Sequence, residues 1–162
     1  MQAFSVVGKP TCVVDYAHTP EALALALQAL QKHVPGGVSC VFGCGGDRDK
    51  GKRPLMGKVA GTYSDVAIVT DDNPRSEDSK TIITAIMEGI VQRPLAEKNE
   101  TWLQNRKSEE NGFVLIGDRS RAIAEAIGAA AAEDIVLIAG KGHEDYQLGN
   151  MGKRFFDDAL EA

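Results

Sequence analysis

Short, near-continuous apolar runs alternate with amphipathic stretches along this chain. The runs fall at residues 11–16, 38–42, 66–70, 113–116 and 135–139. Such runs, rich in valine and isoleucine, are the pattern of strands covered on both faces. Pro20 opens a helix over 21–30, and Pro35-Gly36-Gly37 stops it. A second helix is expected from Pro54 to about Ala60, and a third over 79–90 with Ser79 as its N-cap. An alanine-rich helix follows Gly117-Asp118-Arg119-Ser120 and runs through Ala132, and residues 154–156 read as a short last strand. The alternation predicts an α/β, Rossmann-like fold: a mostly parallel sheet of about five to six strands with helices on both faces. Right-handed crossovers put every post-strand loop on one edge of such a sheet, where ligands bind.

One stretch breaks the rhythm. Residues 91–112 are charged and lack a period, and structureless connections beyond ~12–15 residues are uncommon in compact domains. Some local helix around Trp102, or an excursion over the surface, is expected there. The polar motifs at 15–18, 43–53, 72–75 and 140–144 all follow predicted strands. They should therefore converge in space.

Composition narrows the function classes. The 162 residues are 43% hydrophobic and 25% charged, which excludes a disordered or fibrous chain and suits one domain. The net charge of −5 argues against a nucleic-acid or anionic-membrane binder, which needs a basic face. No apolar run is long enough to span a bilayer, and the first residues do not read as a signal peptide. Cys12, Cys40 and Cys44 are odd in number and form no Cys-x-x-Cys pair, which fits reduced thiols in a cytosol. No zinc-ligand spacing appears, and no metal site is expected.

Gly43-Cys44-Gly45-Gly46-Asp47-Arg48-Asp49-Lys50-Gly51-Lys52-Arg53 sets glycines beside cations. It reads either as an anion cradle or as a solvated loop. It is neither a P-loop nor a dinucleotide fingerprint. Asp72-Asn73-Pro74-Arg75 places an acid, an amide and a guanidinium on one rigid turn. That set suits a zwitterion, with Arg75 on a carboxylate and Asp72 or Asn73 on an ammonium, or else a turn capped by its own Asx side chains. In Gly140-Lys141-Gly142-His143-Glu144-Asp145, His143 is a possible general base but reads better as a residue that shapes the loop. His18, beside Asp15 and Tyr16, suits nucleotide contact or packing. His33 reads as a surface residue, and Cys44 as a small residue in a tight loop.

Taken together, four segments resemble a known family: Asp15-Tyr16-Ala17-His18-Thr19-Pro20, Phe42 to Pro54, Thr70 to Arg75, and Ala139 to Gln147. They are similar to the C-terminal domain of the Mur ligases, and most of all to those that add meso-diaminopimelate to UDP-N-acetylmuramoyl-L-alanyl-D-glutamate in peptidoglycan synthesis. The resemblance covers nearly the whole chain, with the motifs in the family's order. It implies a single domain over 1–162, the third of a three-domain cytoplasmic bacterial enzyme. The UDP-binding and ATPase domains are then not in this chain, and residues 92–112 are a surface insertion.

The family chemistry is amide formation through an acyl phosphate. ATP phosphorylates a glutamate carboxylate, and the incoming amine displaces phosphate. By this resemblance the chain presents the amino acid and closes the ATP site, while ATP and magnesium are held mainly by the central domain. The isolated chain is expected to be inactive. Arg75 should grip the far carboxylate of diaminopimelate. Asp72, Asn73 and Pro74 belong to the same recognition motif, Gly140 and Glu144 line that pocket, and Arg48 reaches another carboxylate. Asp15 and His18 match positions that close over the nucleotide. No catalytic residue is assigned within the chain. Two rivals are a related ligase, such as a folylpolyglutamate synthase or cyanophycin synthetase, and a non-catalytic amino-acid-binding module.

Overall fold

The structure is a computed structural model that describes residues 1–91, 95–107 and 109–162. Its sheet is built from β1 (Gln2–Phe4), β2 (Thr11–Asp15), β3 (Val38–Phe42), β4 (Val66–Val69), β5 (Gly112–Leu115) and β6 (Ile135–Ala139), in the order β1-β2-β6-β3-β4-β5. Every pairing is parallel except β1 with β2. The expected sheet is therefore present, with one unforeseen strand in it. β1 is an exposed antiparallel edge strand, too short at three residues to stand out in the sequence.

Alternate residues of each central strand serve opposite cores. Val13, Cys40, Phe42, Ala67, Val69, Phe113 and Leu137 face one layer of helices. Val14, Val41, Val66, Ile68, Val114, Val136 and Ile138 face the other. The first layer is α1 (Pro20–Gln31), α2 (Lys52–Tyr63) and α3 (Ser79–Ile90). In α1 the buried residues Leu23, Ala26, Leu27 and Leu30 form a single stripe at helical spacing. The second layer is α4 (Glu100–Gln104), α5 (Arg119–Ala129) and the short α6 (Asp158–Glu161). After β5, α5 carries the chain back across this second face, and β6 inserts between β2 and β3.

Helices α2 and α3 touch through backbone. A Cβ on Gly57 would lie 2.0 Å from the Ile86 carbonyl oxygen, and one on Gly89 1.8 Å from that of Pro54. Only glycine permits this approach at either position.

Several sequence expectations shift in detail. The N-cap of α3 is Asp78, whose carboxylate accepts from the Lys80 amide; Ser79 is the first helical residue and donates instead to Asp71. Helix α2 is longer than expected at both ends, and α5 stops at Ala129 rather than Ala132. The last strand does not join the sheet. β7 (Tyr146–Gly149) and β8 (Gly152–Phe155) form a separate antiparallel hairpin. Within the stretch expected as a surface insertion, α4 forms around Trp102 under an Asn99 cap. Leu95 and Leu103 reach the two cores, and Glu97 bridges to Phe113 at the sheet edge. Residues 92–94 and 108 of that stretch lie outside the described residues.

Candidate functional site

Four loops leave the carboxyl edge of the sheet, after β2, β3, β4 and β6, and cross-links fix them to one another. The loop after β4 is the hub. Its Asn73 is buried, and Asn73 Oδ1 accepts from both Lys141 Nζ and the Leu148 amide, each at 2.8 Å. The Asn73 carbonyl accepts from the Gly46 amide at 2.8 Å. Gln147 Nε2 donates to the Asp72 carbonyl at 2.9 Å. Arg75 adopts φ 53°, a left-handed conformation that costs a non-glycine residue about 1–2 kcal/mol. Its amide donates to the Leu148 carbonyl at 2.9 Å, and its Nη1 to the Gly46 carbonyl at 3.0 Å, which offset that strain.

The glycine loop after β3 lies directly on this hub. A Cβ on Gly46 would sit 1.8 Å from the Pro74 carbonyl oxygen, so glycine is required by contact. Arg53, at the start of α2, is 1% exposed and forks onto Glu77 with bonds of 2.7 and 2.8 Å. Arg53 Nη2 also donates to the Gly45 carbonyl, and Glu77 Oε1 accepts from the Asp47 amide. The Arg53 hydrogen bond above all holds the Glu77 carboxyl at about 2. Bonds from the Ser76 hydroxyl and amide lower the Asp47 carboxyl as well.

The loop after β6 turns on two glycines in the left-handed region, Gly140 (φ 114°) and Gly142 (φ 55°). Between them Lys141 points inward and is fully buried. Its ammonium lies 3.0 Å from Asp72 Oδ1 and donates to Asn73 Oδ1 and the Tyr146 carbonyl. Burial pulls the Lys141 pKa down, with the Asp72 carboxylate opposing. Beneath these loops Arg119 is completely buried and forks onto Asp158 at 2.7 and 2.8 Å. Arg119 also donates to the carbonyls of Asp71 and Ala139, at the ends of β4 and β6.

The loop after β2 is lighter. Asp15 Oδ2 accepts from the Ala17 amide at 3.0 Å, which shapes the turn. His18 Nδ1 lies 2.9 Å from the Tyr16 carbonyl, and the two rings sit 4.6 Å apart. Lys52 Nζ donates to the His18 carbonyl at 2.8 Å and ties this loop to α2.

Together the loops enclose a cavity of about 360 Å³. Of the candidate site residues, Arg48, Asp72, Asn73, Arg75, Gly140 and Glu144, expected around the amino acid, line it, and so does His18, expected at the nucleotide. Two do not. Pro74 faces the other side of its loop, toward Asp71 and the β7–β8 hairpin. Asp15 opens instead on a smaller cleft of about 170 Å³ shared with Tyr16 and His143. Tyr16, Gly45, Asp49 and Lys52 also line the main cavity and were not singled out by sequence reasoning. Cys44 is buried and its thiol is pushed up to about 12 by burial, as is that of Cys40, which suits packing and not nucleophilic chemistry. Among the described residues no group of three or more His, Cys, Asp or Glu side chains is placed to hold a metal ion. No helix among them is long and apolar enough to cross a membrane.

A family model described as "Mur ligase, glutamate ligase domain" matches residues 1–142. Among solved structures, that of a UDP-N-acetylmuramoyl-L-alanyl-D-glutamate–2,6-diaminopimelate ligase is 42% identical with a TM-score of 0.83, covering 99% of this chain and 30% of its own. Escherichia coli FolC in complex with ADP is 18% identical with a TM-score of 0.55, over 85% of this chain and 27% of its own. A murein peptide ligase from Psychrobacter arcticus is 16% identical with a TM-score of 0.59, over 88% of this chain and 26% of its own. The last two share the fold. The chain thus spans less than a third of the length of each of these proteins.

Proposed function

The chain belongs to the Mur ligase family, as its glutamate ligase domain, and on that premise we propose that its cavity holds the amino acid that such an ATP-dependent ligase joins to UDP-N-acetylmuramoyl-L-alanyl-D-glutamate, with meso-diaminopimelate as that amino acid. The observation that carries the reading is the charge pattern of one cavity. Arg48 and Arg75 face it beside Asp72 and Glu144. A diamino dicarboxylic acid presents two carboxylates and two ammonium groups, and this lining offers partners of both signs.

In the reaction, ATP phosphorylates the glutamate side-chain carboxylate and ADP leaves. One amine of diaminopimelate attacks the acyl carbon, a proton is lost from nitrogen, and inorganic phosphate departs as the amide forms. This chain contributes positioning. Arg75 takes the carboxylate at the non-reacting end, where a guanidinium fork suits two oxygens. Glu144 takes the ammonium of that end, with Asp72 beside it, and Arg48 reaches the second carboxylate. Holding the far end leaves the reacting amine directed out of the cavity, toward the acyl phosphate. Orientation of this kind supplies several kcal/mol of rate enhancement. Asp15 and His18, on the neighbouring cleft and loop, close over the nucleotide. By the family's division of labour, ATP and its magnesium are held mainly by other parts of the whole ligase, in the bacterial cytoplasm. The chain alone, without a P-loop, should not hydrolyse ATP.

The test is a titration of this chain with meso-diaminopimelate and with lysine, followed by amide NMR and calorimetry. Lysine lacks the far carboxylate and would leave Arg75 unpaired, at a cost of about 2–5 kcal/mol. Shifts in the loops after β4 and β6 with diaminopimelate only, lost in Arg75→Ala, are expected. Equal responses to both amino acids would overturn the assignment.

A further inference from the structure

Lys141 has no place in the reading above, yet it is a fully buried ammonium set behind the cavity lining, against Asp72 and Asn73. Three oxygens surround it: Asp72 Oδ1 as an ion pair at 3.0 Å, and Asn73 Oδ1 at 2.8 Å and the Tyr146 carbonyl at 3.1 Å as hydrogen-bond acceptors. The two flanking glycines make this burial possible. A Cβ at Gly142 would lie 2.9 Å from the Tyr16 Cβ, and one at Gly140 3.2 Å from Asp72 Oδ2, each on a left-handed backbone. The Gly-Lys-Gly sequence therefore drives a lysine beneath the recognition turn, where a lysine on an ordinary loop would swing out to water.

We infer that Lys141 is a positioning residue that sets the amino-acid selectivity of the cavity, by pairing with Asp72 and fixing Asn73 so that the remaining lining carries a surplus of positive charge. With Asp72 matched to Lys141, the cations facing the cavity are Arg48, Lys52 and Arg75, and the carboxylates are Asp49 and Glu144. That lining favours an amino acid with an added carboxylate and repels lysine, which carries a net positive charge. Removing the Lys141 ammonium frees Asp72 beside Arg75. The freed carboxylate competes for the guanidinium and offers lysine a second anionic partner. This inference rests on the amino-acid reading of the cavity and assigns its selectivity to a residue that no ligand reaches.

The test compares the wild-type chain with Lys141→Met and Lys141→Arg. Without ligand, Lys141→Met should displace the amide resonances of Asp72, Asn73, Gly46 and Leu148 and speed hydrogen exchange at Gly46 and Leu148. Residues of α1 should be unmoved, and Lys141→Arg should recover part of the wild-type pattern. Unchanged resonances at Asp72 and Asn73 in a folded Lys141→Met would overturn the inference with no ligand involved. With ligand, calorimetry should show meso-diaminopimelate weakened by about 30-fold or more in Lys141→Met, the low end of what truncating a buried charge pair costs. Lysine should weaken less or gain. Equal loss of both would make Lys141 a stability residue only and overturn its role in selectivity. If the wild-type chain binds neither amino acid, the reading of the cavity fails, while the ligand-free spectra still decide whether Lys141 orders the turn.

Discussion

Replacing Asp158 with alanine removes the carboxylate that meets the Arg119 guanidinium, which is sealed from water. Arg119 and Asp158 both have side-chain exposure of 0%, and they are joined by two bonds of 2.7 and 2.8 Å. After the substitution Arg119 keeps its bonds to the Asp71 and Ala139 carbonyls, but these are neutral and cannot cancel its charge. Breaking a buried pair from one side typically costs about 3–5 kcal/mol, because the surviving charge is left uncompensated. Against a total stability of about 5–15 kcal/mol that is a large fraction. For a chain of this size it lowers the melting temperature by roughly 6–20 °C, at about 2–4 °C per kcal/mol. Urea unfolding followed by far-ultraviolet circular dichroism measures it directly. The double variant Arg119→Met/Asp158→Leu should regain most of the loss, since apolar replacement of both partners removes the charge as well as the bond. A loss below about 1 kcal/mol in Asp158→Ala would refute the reasoning, because a guanidinium truly shut in the core could not tolerate it.

Further outcomes follow from the same contacts. Because the folded Glu77 carboxyl is depressed from 4.5 to about 2, the stability it contributes is fully present above pH 4.5 and is lost as pH falls toward 2. Urea midpoints across that window should therefore fall less steeply in Glu77→Gln than in wild type, and parallel curves would count against the Arg53–Glu77 link. Gly89→Ala should destabilise the chain by about 1–3 kcal/mol in urea, since its methyl group would meet the Pro54 carbonyl of α2; an unchanged midpoint would mean that α2 and α3 do not touch there. Cys12, Cys40 and Cys44 are all buried and unpaired, so a thiol reagent at pH 8 should label them only at the rate of unfolding. A rapid stoichiometric burst would contradict their burial.

The layered fold was legible because its physics is periodic. Residues 66–69 and 135–139 are apolar at every position, and only a strand covered on both faces uses such a run without waste. Pro20 marks the start of α1 by local chemistry alone, and the structure places it in the first turn, behind a Thr19 cap that the sequence reading did not name. β1 escaped notice because three residues on an exposed edge carry no period. The β7–β8 hairpin was half seen, since the strand at its far end shows β-forming residues while Gln147 and Gly149 in its partner do not. Asp78 took the cap from Ser79 for a reason no local rule resolves. Both residues can cap, and Ser79 is drawn away by Asp71, seven positions before the cap at the start of the same loop.

The site was legible where residues face the cavity and hidden where they hold it. Arg48, Asp72, Arg75 and Glu144 are short-range signals, polar groups on turns just after strands. The residues that fix those turns are Arg53, Arg119 and Lys141, and in the sequence each reads as one more solvated cation. Their partners stand 24, 39 and 68 positions away, in Glu77, Asp158 and Asn73. A buried cation is tolerable only when a distant acceptor arrives to meet it, and that meeting is a property of the sheet order, not of any local motif. On the proposed reading of the cavity, the same accounting gives the hidden residues a part in recognition. Each buried cation faces a carboxylate, Glu77, Asp158 or Asp72, so the frame is close to neutral. On that proposed reading, the selectivity of the cavity is left to the few charges that the frame does not consume, and a substitution that unpairs a frame carboxylate at its wall should change what the cavity accepts.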